Sequence, residues 1–191
     1  MERGTDKAVQ DKCLEVLRRG GLILYPTDTV WGIGCDATNA DAVHKVYTLK
    51  NRPDSKALIC LVSDVAMLER YIAEIPSPAY DIIALADKPT TIVYDNPTGV
   101  AENLVAPDNT LAIRVARDRF CRDLIRRFRK PLVSTSANIA GKPTPATFKE
   151  IDSAILKGVD YTVPLQGHEK RSTPSAIIRL GTDGSVKVIR T

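Results

Sequence analysis

The sequence has few of the residues on which metal sites, disulfide scaffolds and base-stacking surfaces are built. Its 191 residues include four cysteines and two histidines, and no two cysteines form a Cys-X-X-Cys pair. This pattern predicts reduced, buried thiols in a cytoplasmic protein that holds no metal ion of its own. Only 5% of the residues are aromatic, which argues against a surface that stacks nucleic-acid bases.

Long apolar runs are missing too. No run approaches the ~20 residues that a membrane helix needs, so we expect no membrane partner. Hydrophobic residues make up 43% of the chain and charged residues 26%, as in an ordinary soluble domain. Without internal repeats or linker-like stretches, residues 1–191 are predicted to form a single domain. The net charge of +4 is compatible with an anionic ligand but is too small to require one.

Segments with strand and helix patterns alternate along the chain, and a hairpin pattern ends it. This order predicts an α/β fold built on a twisted mixed sheet. Helices are predicted over 6–19 with Thr5 or Asp6 as the cap, after Asn39, near 64–73 and 78–86, and over 118–129 and 147–157. Strands are predicted over 22–25, 57–62, 91–94, 111–116 and 131–134, with a final hairpin that turns at Asp183-Gly184.

Two polar segments follow strand or helix patterns in the first third of the chain. In YPTDTVWGIG (25–34), hydroxyls, a carboxylate and glycines suit contact with a small polar ligand, although an ordinary turn explains them equally well. In LKNRPDSKAL (49–58), a proline keeps Lys50, Arg52 and Lys56 in a loop, where they could converge on a phosphate. The alternative, cations that complement a helix C-terminus, explains Lys50 but not Lys56.

A third polar segment, LVSTSANIAGKPTPATF (132–148), opens from a short strand. Ser134, Ser136, Asn138 and Thr144 stand near a glycine, and such small donors can wrap a phosphate or a ribose. It is not a Walker loop, because a serine replaces the first glycine and a proline follows Gly-Lys. A polar capping loop is the alternative interpretation.

The last candidates are cations on strands near the end of the chain. Arg114 lies on an apolar strand, where it either pairs with an acid or meets an anionic ligand, and Arg190 ends the last strand. The motifs GxSxG, HExxH and GxGxxG are all absent. Cations, hydroxyls and amides without a protein nucleophile suit the attack of a carboxylate-like group on a nucleotide α-phosphate.

Together and in this order, the segments YPTDTVWGIGCDA, KNRPDSKALI, STSANIAGKPTP and PSAII…VIR resemble the YrdC-type threonylcarbamoyl-AMP synthase family. The resemblance runs from about Leu22 to Arg190. It implies an open twisted sheet of parallel and antiparallel strands, with flanking helices and a basic concave cavity. The implied reaction converts L-threonine, bicarbonate and ATP, with Mg²⁺ expected alongside, into threonylcarbamoyl-AMP and pyrophosphate. A tRNA threonylcarbamoyl-transferase complex would then use this product to make threonylcarbamoyladenosine in tRNA.

The resemblance also implies a role for individual residues. Lys50 and Arg52 would be catalytic, and no residue would bind a resident metal. The threonine-binding residues would be Thr29, Arg114, Ser134 and Ser175. The ATP-binding residues would be Arg52, Lys56, Thr110, Ser136, Asn138, Thr144 and Arg190.

The sequence departs from the family pattern at three places, and two rival functions remain open. Leu61 or its neighbour is apolar where some members have a histidine, Lys88-Pro89-Thr90-Thr91 replaces a usual proline-rich wall, and the extra C-terminal domain of longer members is not expected. The first rival is a non-catalytic module that binds double-stranded RNA or tRNA weakly in the same cavity, with a steep salt dependence. The second is a carbamoyl-adenylate-forming enzyme of hydrogenase maturation, which carries zinc-finger and acylphosphatase modules not seen here.

Overall fold

A computed structural model describes residues 2–52, 58–164 and 174–191, and these residues form one mixed sheet flanked by helices. The strands run in the order β7-β1-β2-β6-β3-β5-β4-β8-β9. The pairs β1–β7, β3–β5 and β4–β8 are parallel, and the other neighbours are antiparallel. The strands are β1 (Ile23–Pro26), β2 (Trp31–Asp36), β3 (Ile59–Val62), β4 (Thr90–Asp95), β5 (Thr110–Val115), β6 (Leu132–Ser136), β7 (Tyr161–Thr162), β8 (Ala176–Leu180) and β9 (Val186–Arg190).

Helices cover the sheet and connect its strands. The longest, α1, packs against α5 and against β1 and β2, while α2 packs on β2. None of the helices within the described ranges is both long enough and apolar enough to cross a bilayer. The α-helices are α1 (Glu2–Arg18), α2 (Ala40–Lys50), α3 (Val65–Leu68), α4 (Pro78–Leu85), α5 (Arg119–Phe128) and α6 (Ser153–Gly158), with 3₁₀ turns at Glu102–Leu104 and Phe148–Glu150.

Three of the predicted helices differ from those in the structure. The first begins at Glu2, so Thr5 and Asp6 lie inside it and do not cap it. The helix predicted near 64–73 is α3, which ends at Leu68. Ile72 instead forms a bridge with Pro97. Residues 69–71 form a turn between the end of this helix and the bridge.

The helix predicted over 147–157 is split in two. Ile151 has extended backbone angles between the 3₁₀ turn and α6. The carboxylate of Asp152 accepts a hydrogen bond from the N–H of Ala154 at 2.9 Å, so it starts a new helix rather than continuing the old one.

The two faces of the central strands differ in chemistry. Ile33, Cys60 and Val133 are fully buried in the apolar core. Their neighbours Gly32 and Ser134 line a cavity, because successive side chains of a strand point to opposite faces. The sheet therefore has an apolar face under α1, α2 and α5 and a polar face at the cavity.

Candidate active site

A cavity of about 220 Å³ lies where β2, β3, β5 and β6 meet the residues around β8 and β9. It brings together residues from all four polar regions that the sequence singled out. The predicted site residues that line it are Thr29, Arg52, Arg114, Ser134, Ser136, Thr144, Ser175 and Arg190.

The loop between β1 and β2 contributes two threonines to the cavity wall. The hydroxyl of Thr27 donates to the carbonyl of Val30 at 2.8 Å and accepts from the N–H groups of Thr29 and Val30. The hydroxyls of Thr27 and Thr29 are 3.0 Å apart. Sequence reasoning overlooked Thr27, although it belongs to the same PTDT segment.

Arg114 projects into the cavity from β5 and is only 5% exposed. Its Nη1 donates to the hydroxyl of Thr29 at 3.4 Å, and its Nη2 lies 3.1 Å from Oδ1 of Asp28. The sequence left an acid partner and an anionic ligand open for this arginine. The structure supplies the acid and still leaves Arg114 on the cavity wall.

Arg52 reaches the cavity because of the way α2 ends. Asn51 adopts a left-handed conformation with φ of 49°, and the N–H of Arg52 donates back to the carbonyl of Tyr47 at 2.9 Å. This tight turn directs the chain out of the helix beside the sheet. Burial lowers the pKa of the Arg52 guanidinium, as expected for a cation turned towards the protein. The third predicted cation of this loop, Lys56, lies outside the described residues.

Lys50, predicted to be catalytic, is 1% exposed and does not line the cavity. Its Nζ donates to the backbone carbonyls of Ser136 and Asn138, the latter at 2.6 Å. Its own carbonyl accepts the N–H of Ala140 at 2.8 Å. Burial, with a smaller effect from Arg52, lowers the pKa of Lys50 from 10.5 to about 8. Lys50 therefore holds the loop after β6 in place from behind.

β6 presents Ser134 and Ser136 to the cavity opposite two glycines of β2. Gly34 pairs with Ser134, and Gly32 pairs with Ser136. A Cβ on Gly32 would come within 3.3 Å of the Ser134 hydroxyl, and one on Gly34 within 2.6 Å of the Tyr25 ring. Gly32 thus leaves room for the Ser134 hydroxyl at the cavity wall, and Gly34 leaves room for the Tyr25 ring.

The last strand joins the site through Arg190. Its Nε donates to the carbonyl of Ser175 at 2.9 Å, and the Ser175 hydroxyl lies 2.8 Å from that of Thr91. Thr91 is completely buried, so the segment that departs from the family pattern supports Ser175 from behind. Burial lowers the pKa of Arg190, and the nearby charge of Arg114 lowers it further.

Two predicted ATP contacts lie away from the cavity wall. The hydroxyl of Thr110 donates to Asp108 at 2.7 Å. The amide of Asn138 donates to the carbonyls of Ile139 and Lys142, and its side chain lines a neighbouring cavity of about 280 Å³ that also includes Thr144. Their roles in ATP binding stay predictions.

The charge of the main cavity favours anions. Three arginines line it, and the lining residues that the structure describes include no carboxylate. No group of three or more histidines, cysteines or acids that could hold a metal ion occurs within residues 2–52, 58–164 and 174–191. The arginines and hydroxyls of the wall form a donor set that suits phosphate and carboxylate groups.

The fold and the cavity define an α/β protein with an open mixed sheet and a cavity whose positively charged wall suits anions. A family model described as "Telomere recombination", which covers Sua5, YciO and YrdC, matches residues 15–191. The chain belongs to this Sua5–YciO–YrdC family.

Named relatives cover most of the chain. The threonylcarbamoyl-AMP synthase of Stenotrophomonas maltophilia is 37% identical over 153 residues, which are 78% of this chain and 82% of that protein. That of Halorhodospira halophila is 36% identical over 171 residues, 88% of each protein.

Solved structures confirm the predicted fold. P. abyssi Sua5 with L-threonine matches with a TM-score of 0.80 at 24% identity, over 92% of this chain and 51% of that one. E. coli YciO matches with a TM-score of 0.81 at 23% identity, over 97% and 89%. The chain thus spans about half the length of Sua5 and most of YciO.

Proposed function

We propose that this chain is a nucleotidyltransferase that condenses L-threonine, bicarbonate and ATP into threonylcarbamoyl-AMP and pyrophosphate. The observation that carries the proposal is a single cavity whose wall holds three arginines beside a row of hydroxyls. The names of relatives that are 37% and 36% identical support the same reaction here. A tRNA threonylcarbamoyl-transferase complex would consume the product.

The first step makes a nucleophile from threonine. Its amine attacks the carbon of bicarbonate, a C–N bond forms, and water leaves, which gives an N-carboxylate. Arg114 would hold the threonine carboxylate, because it lies in the wall with its two terminal nitrogens already oriented by Asp28 and Thr29. Ser134 and Ser175 would bind the remaining polar atoms. A fixed orientation of this kind lowers the entropic part of the barrier.

The second step transfers the adenylyl group. An oxygen of the N-carboxylate attacks the α-phosphate, the bond to the β-phosphate bridging oxygen breaks, and pyrophosphate leaves with the electron pair. Arg52 and Arg190 would offset the charge that develops on the phosphates, since both line the same cavity. Ser136 and Thr144 would donate to phosphate oxygens. Lys50 would act indirectly, through the loop that contains Ser136.

Mg²⁺ would arrive as part of the nucleotide substrate. Mg²⁺ prefers carboxylates, waters and substrate phosphates as ligands. The described lining of the cavity offers it no carboxylate, so the phosphates of ATP and water would be its main ligands.

The test is incubation of the purified chain with ATP, Mg²⁺, bicarbonate and each amino acid in turn, with pyrophosphate as the readout. We expect release that depends on both threonine and bicarbonate. Release without amino acid selectivity would contradict threonine as the substrate. Steeply salt-dependent RNA binding with no pyrophosphate release would support the RNA-binding alternative instead.

A further inference from the structure

Asp28 lies directly behind Arg114. Its Oδ1 is 3.1 Å from Nη2 of Arg114, and the two side chains are 11% and 5% exposed. Asp28 is not among the described residues that line the cavity, whereas Arg114 and the adjacent Thr29 are. The carboxylate can therefore act on a ligand only through Arg114 or through its electric field.

The guanidinium of Arg114 is oriented by the loop on which Asp28 lies. Nη2 faces Asp28, Nη1 donates to Thr29, and Nε is buried without a hydrogen-bond partner. Since Nε is closed off, only the remaining hydrogens of the two terminal nitrogens can reach a ligand. Asp28 and Thr29 thus decide which edge of the arginine faces the cavity.

Stability alone does not account for a carboxylate at this position. Burial raises the pKa of Asp28, and the nearby Asp118 raises it further, while Arg114 opposes both effects. The second oxygen of Asp28 is buried with no hydrogen-bond partner, and the same holds for one oxygen of Asp118. Asp118 caps α5 through its other oxygen, which accepts the N–H of Cys121 at 2.8 Å. Both acids are partly buried, and the loss of hydration falls on one oxygen of each. A function for the negative charge would explain its presence.

We propose that Asp28 is a positioning and specificity residue that makes the Arg114 end of the cavity select an amino acid over a phosphate. A free amino acid is a zwitterion, with an ammonium and a carboxylate a few bonds apart. An arginine backed by an acid matches this pair of opposite charges. A phosphate dianion gains from the arginine but is repelled by the carboxylate behind it, so it is directed away from Arg114.

The proposed function, on which this inference rests, requires that the amino acid and the phosphates of ATP bind in separate parts of the cavity. ATP carries several phosphates into a cavity that also contains Arg114, and a phosphate on that arginine would exclude threonine. Arg190 differs from Arg114 in its partners, because it donates to the carbonyl and hydroxyl of Ser175, which are both neutral. Its full positive charge suits a phosphate, whereas that of Arg114 is offset by Asp28.

The test measures binding without turnover. Isothermal titration calorimetry gives the Kd of L-threonine for the wild type and for Asp28→Asn, alone and with increasing inorganic phosphate. We expect the threonine Kd to rise at least tenfold in Asp28→Asn. We also expect phosphate to compete with threonine at concentrations at least tenfold lower than in the wild type. In turnover assays, KM for threonine should rise while KM for ATP stays within twofold.

Two further variants separate charge from fold. Asp28→Glu keeps the charge and should keep the exclusion of phosphate. Asp36→Asn is the matched control, since Asp36 is a buried acid that binds Lys130 at 2.7 Å outside the cavity, and it should leave threonine binding unchanged. An unchanged Kd and phosphate response in folded Asp28→Asn would overturn the inference, as would loss of phosphate exclusion in Asp28→Glu. If the wild type neither binds threonine nor releases pyrophosphate with it, the proposed function itself fails.

Discussion

The two ends of the cavity are held in place by different kinds of contact. At the Arg114 end, side chains hold side chains: Asp28 and Thr29 orient the guanidinium, and Thr27 orients Thr29. At the Arg52 end, the backbone is held instead, by the turn at Asn51.

The loop after β6 at that end is fixed in the same manner. The buried amine of Lys50 binds the backbone carbonyls of Ser136 and Asn138. In the inference above, the side-chain contacts that orient Arg114 select the ligand. The contacts of Lys50 with the backbone set the position of a loop.

The largest expected effect comes from removing a cation that is proposed to bind the phosphates of ATP. Arg52→Ala or Arg190→Ala should each cost about 2–4 kcal/mol of transition-state stabilisation, if the contact behaves like a lost oxyanion donor. This appears as a fall in kcat of roughly 30- to 900-fold, measured by pyrophosphate release. Arg179→Ala is the control, because Arg179 pairs with Asp95 and Asp108 away from the cavity. Near-normal turnover in Arg52→Ala and Arg190→Ala would remove these cations from the mechanism.

The next largest expected effect is the pH dependence of the contribution that Lys50 makes to the free energy of unfolding. Its pKa is about 8 in the fold against 10.5 in the unfolded chain, so the unfolded state binds more protons between these values. The contribution of Lys50 to the free energy of unfolding should therefore rise between pH 8 and 10.5, by up to about 3 kcal/mol at about 1.4 kcal/mol per pKa unit. The buried cysteines act in the opposite direction, because burial raises their pKa values. Chemical denaturation of the wild type and of a Lys50 variant at several pH values isolates the Lys50 contribution as a difference.

Lys50→Met removes this contribution, so the stability of the wild type relative to Lys50→Met should increase between pH 8 and 10.5. The variant should also weaken ATP use, because the loop after β6 loses two hydrogen bonds. Lys45→Met, on the same helix, removes a bond to the carbonyl of Gly20 and should show the same pH dependence as the wild type. A difference between wild type and Lys50→Met that does not change with pH would contradict the lowered pKa of Lys50.

The smallest expected effect lies behind Ser175. Thr91→Val removes one buried hydroxyl at nearly constant volume, and a lost hydrogen bond of this kind costs about 1 kcal/mol. We expect KM for threonine to rise roughly fivefold, with kcat little changed. Thr90→Val is the control, since its hydroxyl donates to the carbonyl of Lys88. Equal effects of the two variants would show that the support of Ser175 is unimportant.

Local patterns predicted most of the strands and the polar segments, but they missed β2 and β7 and did not give the partners across the sheet. Ser134 and Ser136 could be found because they end an apolar strand. Lys50 was recognised as a cation near the site, yet its burial against the loop after β6 depends on where α2 ends relative to β6. Three strands separate β1 from β5 in the sheet, so the pairing of Asp28 with Arg114 is a contact across the sheet that no local pattern specifies.

The predicted bounds of the helix over 147–157 were wrong for a similar reason. The pattern over 147–157 has helical spacing, and only the hydrogen bond between Asp152 and Ala154 shows that a new helix starts there. Asp and Asn side chains compete with the helical backbone for its N–H groups, so an acid within a helical pattern can end one helix and cap another.

The contacts of Thr29 link the loop between β1 and β2 to β5. Thr29 accepts a hydrogen bond from Nη1 of Arg114 at 3.4 Å, and its hydroxyl lies 3.0 Å from that of Thr27, which is bonded to Val30. A displacement of this loop would therefore displace the guanidinium as well, so the position of Arg114 in the cavity wall depends on the loop between β1 and β2.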